Sequence, residues 1–216
     1  MTNFKLFIFD LDGVLTESSE QHFLAWKKLS DELGISIDEK FNDQLKGISR
    51  MDSLERILAN GGIAENYSKK QKEDLAARKN EYYVSMISQF TEENLNDGVR
   101  ELFSKLKKHN ILIAIGSASK NAPLLLKKLN IEKYIDYIVN PKNLKSKPAP
   151  DIFLNAANKW SIEPRDCVGI EDSVSGISSI KSAGMFAIGI GDQKVLNQAD
   201  IVYKQTKEVN LLDLLK

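Results

Sequence analysis

The chain has 216 residues, of which 42% are hydrophobic and 28% charged, and its 30 basic and 30 acidic side chains cancel. This composition supports a full-sized hydrophobic core and argues against disorder. The balanced charge argues against a nucleic-acid-binding protein, because such proteins usually have an excess of basic residues. No apolar run approaches membrane-spanning length. We expect no signal peptide, no nucleic-acid or membrane partner, and a cytoplasmic location. The single cysteine, Cys167, lies in an apolar run and is interpreted as a buried structural thiol.

Short apolar, β-branched runs recur along the chain and are too short to be helices. From residue 111 onward, amphipathic helical patterns separate them, which is typical of a parallel sheet that is buried on both faces. The sequence therefore predicts a doubly wound, Rossmann-like α/β core. The predicted strands are Leu6–Phe9, Ile111–Ile115, Ile135–Val139, Cys167–Ile170, Phe186–Ile190 and Ile201–Tyr203.

The segment after the first predicted strand has a different pattern. It indicates successive helices at Glu20–Leu33, Asp52–Asn60 and Lys69–Ile87, with glycines as breaks between them. We predict a small helical cap domain at residues 16–83, inserted into a core made of residues 1–15 and 84–216. Ligands of open α/β sheets bind outside the carboxyl ends of the strands, so such an insertion would cover the site.

Two carboxylates, Asp10 and Asp12, follow the first predicted strand. Side chains two residues apart along an extended chain point the same way, so both can face one site. Two such close carboxylates repel each other and are tolerated mainly with a bound cation, and Mg²⁺ prefers oxygen ligands of this kind. The alternative interpretation is that these acidic residues merely begin a loop or cap a helix.

Three further motifs follow later predicted strands. Ser117–Asn121 offers hydroxyls and amides before a helix, which suits a phosphate but equally an ordinary N-cap. Lys147 precedes two prolines, and its ammonium could neutralise a phosphoryl oxygen, although a solvated loop lysine is the usual case. Glu171 and Asp172 form a second acidic pair, in which Asp172 is also a candidate helix cap.

Taken in order, these four motifs resemble those of the haloacid dehalogenase superfamily over nearly the whole chain. The insertion motifs, with His22, Trp26 and the run Leu45–Arg50, are similar to those of the sugar-phosphate mutases in that superfamily. One departure is Glu17-Ser18, where the family commonly has Asp and Thr at the hinge.

The resemblance implies that Asp10 is the nucleophile, that it becomes an aspartyl phosphate, and that Asp12 is the general acid/base. It implies that Ser117 and Lys147 hold the transferring phosphoryl group. Mg²⁺ would be held by Asp10, the backbone carbonyl of Asp12, Glu171 and Asp172.

A mutase also needs a second anion site for the phosphate that is not reacting. Arg50 is the best candidate, because a guanidinium binds phosphate in a bidentate manner. The resemblance adds Ser119, Lys120 and Asn121 to this distal site, and suggests that His22 orients Asp12 through Lys79. For Trp26, core packing is the favoured role. The remaining residues expected to line the cleft are Gly47, Ser49, Ser53 and Ala118.

The expected activity is interconversion of β-D-glucose 1-phosphate and glucose 6-phosphate through β-D-glucose 1,6-bisphosphate, which also serves as primer, in a monomeric enzyme. The alternative is a sugar-phosphate phosphatase of the same superfamily, in which water resolves the aspartyl phosphate. A phosphonatase would need a Schiff-base lysine in the insertion, and a dehalogenase needs neither Mg²⁺ nor Asp12, so both alternatives are weaker. The presence of Asp10, Asp12, Lys147 and Asp172 argues against a non-catalytic protein. The phosphate loop of nucleotide-binding enzymes and the nucleophile elbow of acyl hydrolases do not occur in the sequence.

Overall fold

The computed structural model describes residues 4–214 and contains one parallel sheet with the strand order β3-β2-β1-β4-β5-β6. The strands are β1 (Leu6–Phe9), β2 (Leu112–Ile115), β3 (Tyr137–Ile138), β4 (Cys167–Glu171), β5 (Phe186–Ile190) and β6 (Ile201–Tyr203). The predicted fold class is confirmed. Three strands, β2, β3 and β4, have bounds that differ from the prediction.

The shift at β2 has a local cause. The N–H of Ile111 donates to the carbonyl of Leu106 and so closes the end of the preceding helix, after Asn110 has turned the chain with φ of 57°. Ile111 therefore belongs to the helix-to-strand turn, and pairing begins one residue later.

Helices cover both faces of the sheet because the side chains of β1 alternate between them. Phe7 and Phe9 join the hydrophobic cluster on one face, whereas Leu6 and Ile8 join the cluster on the other. The core helices are α5 (Val99–Lys108), α6 (Ala122–Lys128), α7 (Asp151–Asn158), α8 (Val174–Ser182) and α9 (Leu211–Leu214). None of the helices in the described range is long and apolar enough to cross a membrane.

The segment between β1 and α5 forms a separate group of helices. They are α1 (Ser19–Glu32), α2 (Glu39–Asp43), α3 (Arg50–Asn60) and α4 (Lys69–Ile87). Their buried side chains form a hydrophobic cluster of their own, which includes Trp26, Leu29 and Leu54. This separate cluster supports the proposal that the segment is a cap domain.

The two connections between this segment and the core lie side by side. Helix α4 continues past residue 83, and its later residues Tyr83 and Ile87 pack into the core cluster. After α4, the returning chain pairs with the segment that follows β1: Leu95 forms a bridge with Thr16. The Thr16 hydroxyl also donates to the carbonyl of Asn94 at 2.6 Å. We call these paired segments the proposed hinge.

Candidate active site

A cavity of about 810 Å³ lies between the helical segment and the carboxyl ends of β1, β2 and β4. It contains acidic side chains at the sheet and basic side chains on the cap. Of the predicted site residues, the cavity is lined by Asp10, Asp12, His22, Trp26, Gly47, Ser49, Arg50, Ser53, Lys79, Ser117, Ala118, Ser119, Lys120 and Asp172.

Asp10 stands at the centre of the acidic end. Its N–H donates to the carbonyl of Ile170 on the neighbouring strand at 2.9 Å, which fixes Asp10 just beyond β1. Its Oδ1 accepts a hydrogen bond of 2.6 Å from Nζ of Lys147. The same ammonium donates to Oε1 of Glu171 at 2.6 Å, and Lys147 is only 1% exposed. One buried lysine thus holds two carboxylates from two strands.

Burial and mutual repulsion weaken the ionisation of these acids. Burial raises the pKa of Asp10 to about 7, although Lys147 opposes this shift. Burial, followed by repulsion from Glu171 and Asp10, raises the pKa of Asp172 well above its usual range. Burial alone would lower the pKa of Lys147, but the two carboxylates outweigh it and raise this pKa. The site therefore has more carboxyl groups than one ammonium can hold in the ionised form.

This oxygen-rich pocket fits Mg²⁺, which would favour the ionised form of its carboxyl groups. Asp10 and Asp172 both line it, and a Cβ on Gly13 would lie 2.1 Å from Oδ2 of Asp172, so the chain turn passes directly against that carboxylate. Within residues 4–214, no three acidic, histidine or cysteine side chains are already grouped as metal ligands. Mg²⁺ needs only one or two carboxylates when carbonyl, phosphate and water oxygens complete its shell.

Glu171 lies one layer further from the cavity. Its Oε1 accepts from Lys147, and its Oε2 accepts from both the N–H and the hydroxyl of Ser173, at 2.8 and 2.9 Å. Glu171 is fully buried and does not line the cavity. Its predicted place as a metal ligand stays a prediction, while its contact with Lys147 is a structural finding.

Asp12 is turned toward the hinge. Its Oδ1 accepts from the hydroxyl of Ser18 at 2.5 Å and from the hydroxyl of Tyr83 at 3.4 Å. The Nε2 atom of His22 lies 3.6 Å from the same oxygen. Burial raises the pKa of Asp12, against the effect of the Ser18 hydrogen bond. Ser18 therefore keeps a functional hydroxyl at the position where the sequence departs from the family pattern.

His22 and Lys79 form the link that the sequence analysis expected. Nζ of Lys79 lies 2.7 Å from Nδ1 of His22 and 4.6 Å from the centre of the Trp26 ring. The His22 ring stacks on Tyr83 with 3.8 Å between centroids. Burial, then repulsion from Arg50, lowers the pKa of Lys79 to about 7, and burial lowers the pKa of His22 well below its usual value. Trp26 both packs in the cap core and borders the cavity.

Arg50 is half-buried at the first position of α3 and faces the cavity. Its guanidinium makes no hydrogen bond or ion pair with the part of the chain that the structure describes, and burial lowers its pKa. The hydroxyl of Ser49 caps α3, since it accepts from the N–H of Asp52 at 3.2 Å and donates to its carboxylate at 2.7 Å. The hydroxyl of Ser53 donates to the Ser49 carbonyl at 3.0 Å. The Ser49 cap and the Ser53 hydrogen bond thus fix the first turn of α3, which begins at Arg50.

The segment after β2 brings four of its five predicted residues to the cavity. Ser117 is buried, and its hydroxyl accepts from the N–H of Ser119 at 3.1 Å, while Lys120 is exposed at the rim. Asn121 is not a lining residue. Its Nδ2 donates to Oδ1 of Asn80 on α4 at 2.8 Å, so this side chain connects the core to the cap.

Sequence reasoning did not place Tyr83, Asn80, Ser146 or Ser175 near the site. Tyr83 follows Lys79 by four residues on one helix, and this spacing was a usable signal because such residues share a helix face. The other three residues contact partners that are distant in the sequence; Ser146, for example, binds Ser49, which is 97 positions away. No local pattern predicts those contacts.

Comparisons with known proteins agree with this geometry. A family model described as haloacid dehalogenase-like hydrolase matches residues 4–184. The β-phosphoglucomutase of Bacillus subtilis is 47% identical over 208 residues, which is 96% of this chain and 92% of that protein. A phosphorylated carbohydrates phosphatase of Thermotoga maritima is 29% identical over 97% of both chains. The crystal structure of a β-phosphoglucomutase from Clostridium difficile matches with a TM-score of 0.95 and 42% identity, over 98% of this chain and 95% of that one.

Proposed function

Because the chain belongs to the haloacid dehalogenase-like hydrolase family, we propose that it uses that family's aspartyl-phosphate chemistry to interconvert β-D-glucose 1-phosphate and glucose 6-phosphate. One observation carries this proposal: Asp10, which is bound by the buried Lys147, lines the sheet side of the cavity, and the unpaired guanidinium of Arg50 lines the cap side. A substrate with two phosphates has a place for each.

In the proposed reaction, a carboxylate oxygen of Asp10 attacks phosphorus in line. A bond forms between this oxygen and phosphorus while the bond from phosphorus to the sugar oxygen breaks, and Asp12 gives its proton to the departing oxygen. In the opposite direction, Asp12 takes the proton of the sugar hydroxyl that attacks the aspartyl phosphate. Lys147, which binds Asp10, would donate a hydrogen bond to the phosphoryl group on that residue.

Isomerisation follows when the two directions act on different ends of the sugar. Phosphorylated Asp10 transfers its phosphoryl group to the 6-hydroxyl of β-D-glucose 1-phosphate, which gives β-D-glucose 1,6-bisphosphate. The bisphosphate turns round, and Asp10 then takes the 1-phosphate, which leaves glucose 6-phosphate. Whichever phosphate is not reacting binds Arg50, with Ser119, Lys120 and Asn121 as further donors. A trace of the bisphosphate primes the cycle by phosphorylating Asp10.

Asp12 is suited to proton transfer in this scheme, since its raised pKa lies closer to neutrality than that of an exposed aspartate. Ser18, Tyr83 and His22 surround its Oδ1 and hold it near the hinge. The buried Lys79 fixes the His22 ring. These residues orient the proton carrier and do not themselves exchange phosphate.

For the metal, we propose that Asp10, Asp172 and the Asp12 carbonyl hold Mg²⁺, with Glu171 as a ligand or as the partner of Lys147. When bound, Mg²⁺ neutralises charge on the transferring phosphoryl oxygens. The excess of carboxylates over lysine in this corner supports the assignment. We further propose a monomeric, cytoplasmic enzyme whose partners are small sugar phosphates.

A phosphatase is the second candidate, because relatives named as sugar phosphatases align over most of the chain, among them the fructose-1-phosphate phosphatase of Escherichia coli at 30% identity. That protein and this chain would share the aspartyl phosphate and differ in what resolves it. The unpaired Arg50 favours the mutase, since a phosphatase needs no clamp for a second phosphate.

The decisive experiment supplies β-D-glucose 1-phosphate, Mg²⁺ and a trace of β-D-glucose 1,6-bisphosphate, with the α-anomer as control. Glucose 6-phosphate and free phosphate are followed in parallel. We expect rapid formation of glucose 6-phosphate from the β-anomer alone, with little free phosphate. If free phosphate is the main product, water resolves the aspartyl phosphate and the phosphatase assignment replaces the mutase.

A further inference from the structure

Two core hydroxyls fasten the loop that leads to Arg50. We call residues 45–50 the cap loop. The N–H of Ser49 donates to Oγ of Ser146 at 2.7 Å, and Oγ of Ser175 donates to the carbonyl of Lys46 at 2.8 Å. Each bond joins a core side chain to a backbone group of the cap.

The cap loop also approaches the core too closely for most side chains. Gly47 has φ of 75°, and a Cβ at this position would lie 2.5 Å from the hydroxyl oxygens of both Ser173 and Ser175. Such contact is available only to glycine. The loop backbone therefore rests directly on the start of α8, and the two serine bonds flank this point.

The positions of the two bonds connect both phosphate sites. Ser146 adjoins Lys147, whereas Ser49 adjoins Arg50, so one hydrogen bond joins the segments that carry the two cations.

The second bond is connected to the same lysine. Ser175 lies near Ser173, which binds Glu171 and through it Lys147. These contacts thus join the segment that carries Arg50 to the segments that carry Lys147 and Glu171.

We propose that Ser146 and Ser175 are positioning residues that dock the cap loop on the core and so hold Arg50 at the correct distance from Asp10. Neither hydroxyl is required to touch substrate. The inference rests on the proposed function, because it matters only for a substrate whose second phosphate must reach Arg50.

The hydroxyl of Ser146 makes no other hydrogen bond among residues 4–214, so Ser146→Ala removes the docking contact and nothing else. Ser175 also lies 3.3 Å from the Ser173 hydroxyl, which makes Ser175→Ala a less clean variant. Ser178→Ala is the matched control, because Ser178 lies on the same helix and its hydroxyl reaches only Gln198 on the surface.

The test measures two activities in each variant: conversion of β-D-glucose 1-phosphate, and hydrolysis of acetyl phosphate, which has no second phosphate. We expect Ser146→Ala to lower kcat/KM of the mutase reaction about fivefold, in line with the loss of one hydrogen bond, and to leave acetyl phosphate hydrolysis unchanged. Ser175→Ala should lower kcat/KM of the mutase reaction by a similar factor. Ser146→Thr, which retains a hydroxyl, should recover most of the loss. Ser178→Ala should resemble the wild type in both assays.

Amide hydrogen exchange gives a readout that does not depend on turnover. The Ser49 amide should exchange at least fivefold faster in Ser146→Ala, while the Leu54 amide inside α3 stays protected. Unchanged Ser49 exchange, an unchanged mutase rate, or equal losses in both activities would each overturn the proposal. If the wild type makes free phosphate rather than glucose 6-phosphate, the proposed function fails, and faster Ser49 exchange would still establish the docking contact on its own.

Discussion

Nζ of Lys147 lies 2.6 Å from Oδ1 of Asp10; the lysine side chain is fully buried, and the Asp10 side chain is only slightly exposed, at the cavity. The two residues are 137 positions apart in the sequence and meet because β1 and the loop before α7 converge at the carboxyl end of the sheet. In the proposed reaction, this ammonium binds the phosphoryl group that Asp10 attacks. It also makes the folded state dependent on the same side chain.

Replacing Lys147 by methionine should therefore damage both stability and activity. The change leaves Asp10 and Glu171 buried without a counter-ion, which typically costs about 3–5 kcal/mol of unfolding free energy. Chemical denaturation measures this loss, and mutase turnover should become undetectable. Lys5→Met is the control, since it breaks a 2.7 Å pair with Asp166 in which Lys5 is 54% exposed, and it should cost at most about 1 kcal/mol. Similar losses in both variants would contradict the special place of Lys147.

Asp10→Asn should abolish formation of the phosphorylated protein. An amide is a far weaker nucleophile than a carboxylate. Among the described residues, the only other carboxylate that accepts a hydrogen bond from Lys147 is that of Glu171, which is fully buried. Intact-mass spectrometry after incubation with β-D-glucose 1,6-bisphosphate and Mg²⁺ measures the phosphorylated fraction. Asp31→Asn, which alters an exposed carboxylate on α1, should keep it. Retained phosphorylation in Asp10→Asn would mean that another residue is the nucleophile.

Much of this arrangement was predictable because it depends on local sequence. The bounds of β1, β5, β6 and α4 agree with the apolar patterns, since each buried strand or amphipathic helix is specified by its own residues. The strand-end positions of Asp10 and Asp172 follow from the same pattern, because carboxyl ends of neighbouring parallel strands meet at one edge.

Other parts depend on how distant segments pack, and the sequence alone does not specify them. The sequence predicted that the cap ends at residue 83, but α4 continues through that position without a break. The returning chain pairs with the first connection only at Leu95, which forms a bridge with Thr16. Asn121 was predicted to bind the distal phosphate, yet its amide nitrogen donates to Asn80 across the two units. One N–H of that amide remains for a phosphate, so the prediction for Asn121 stays open to test.

Arg50→Ala should separate the mutase reaction from simple phosphatase chemistry. A guanidinium can bind phosphate through two charge-assisted hydrogen bonds, each worth about 1.5–3 kcal/mol, so kcat/KM for β-D-glucose 1-phosphate should fall by at least about 100-fold. Hydrolysis of acetyl phosphate should stay near the wild-type rate, because this substrate has no group to reach Arg50. Arg78→Ala, at an exposed residue on α4 that pairs with Glu32, is the control. Equal losses with both substrates would show that Arg50 is not the distal clamp.

The lowered pKa of Lys79 predicts that the protein takes up a proton when the distal phosphate binds. Burial and the nearby Arg50 lower its pKa to about 7, so at pH 8 most of the free protein has a neutral Lys79. An incoming phosphate dianion favours the charged form and raises this pKa. The unfolded chain keeps its proton up to a pKa of 10.5, so in the free protein this group's contribution to stability should increase as the pH rises from about 7 to 10.5.

Calorimetry at pH 8 in two buffers of different ionisation enthalpy measures the proton uptake directly. The Asp10→Asn protein, saturated with Mg²⁺, binds β-D-glucose 1,6-bisphosphate without turnover, and we expect it to take up close to one proton. Adding Lys79→Met should remove most of this uptake, because methionine fills a similar volume and cannot be protonated. If the uptake persists in the double variant, another group supplies it; if it is absent from the start, Lys79 is already charged in the free protein. Either result would contradict the role of Lys79 as a buried cation that becomes charged when phosphate arrives.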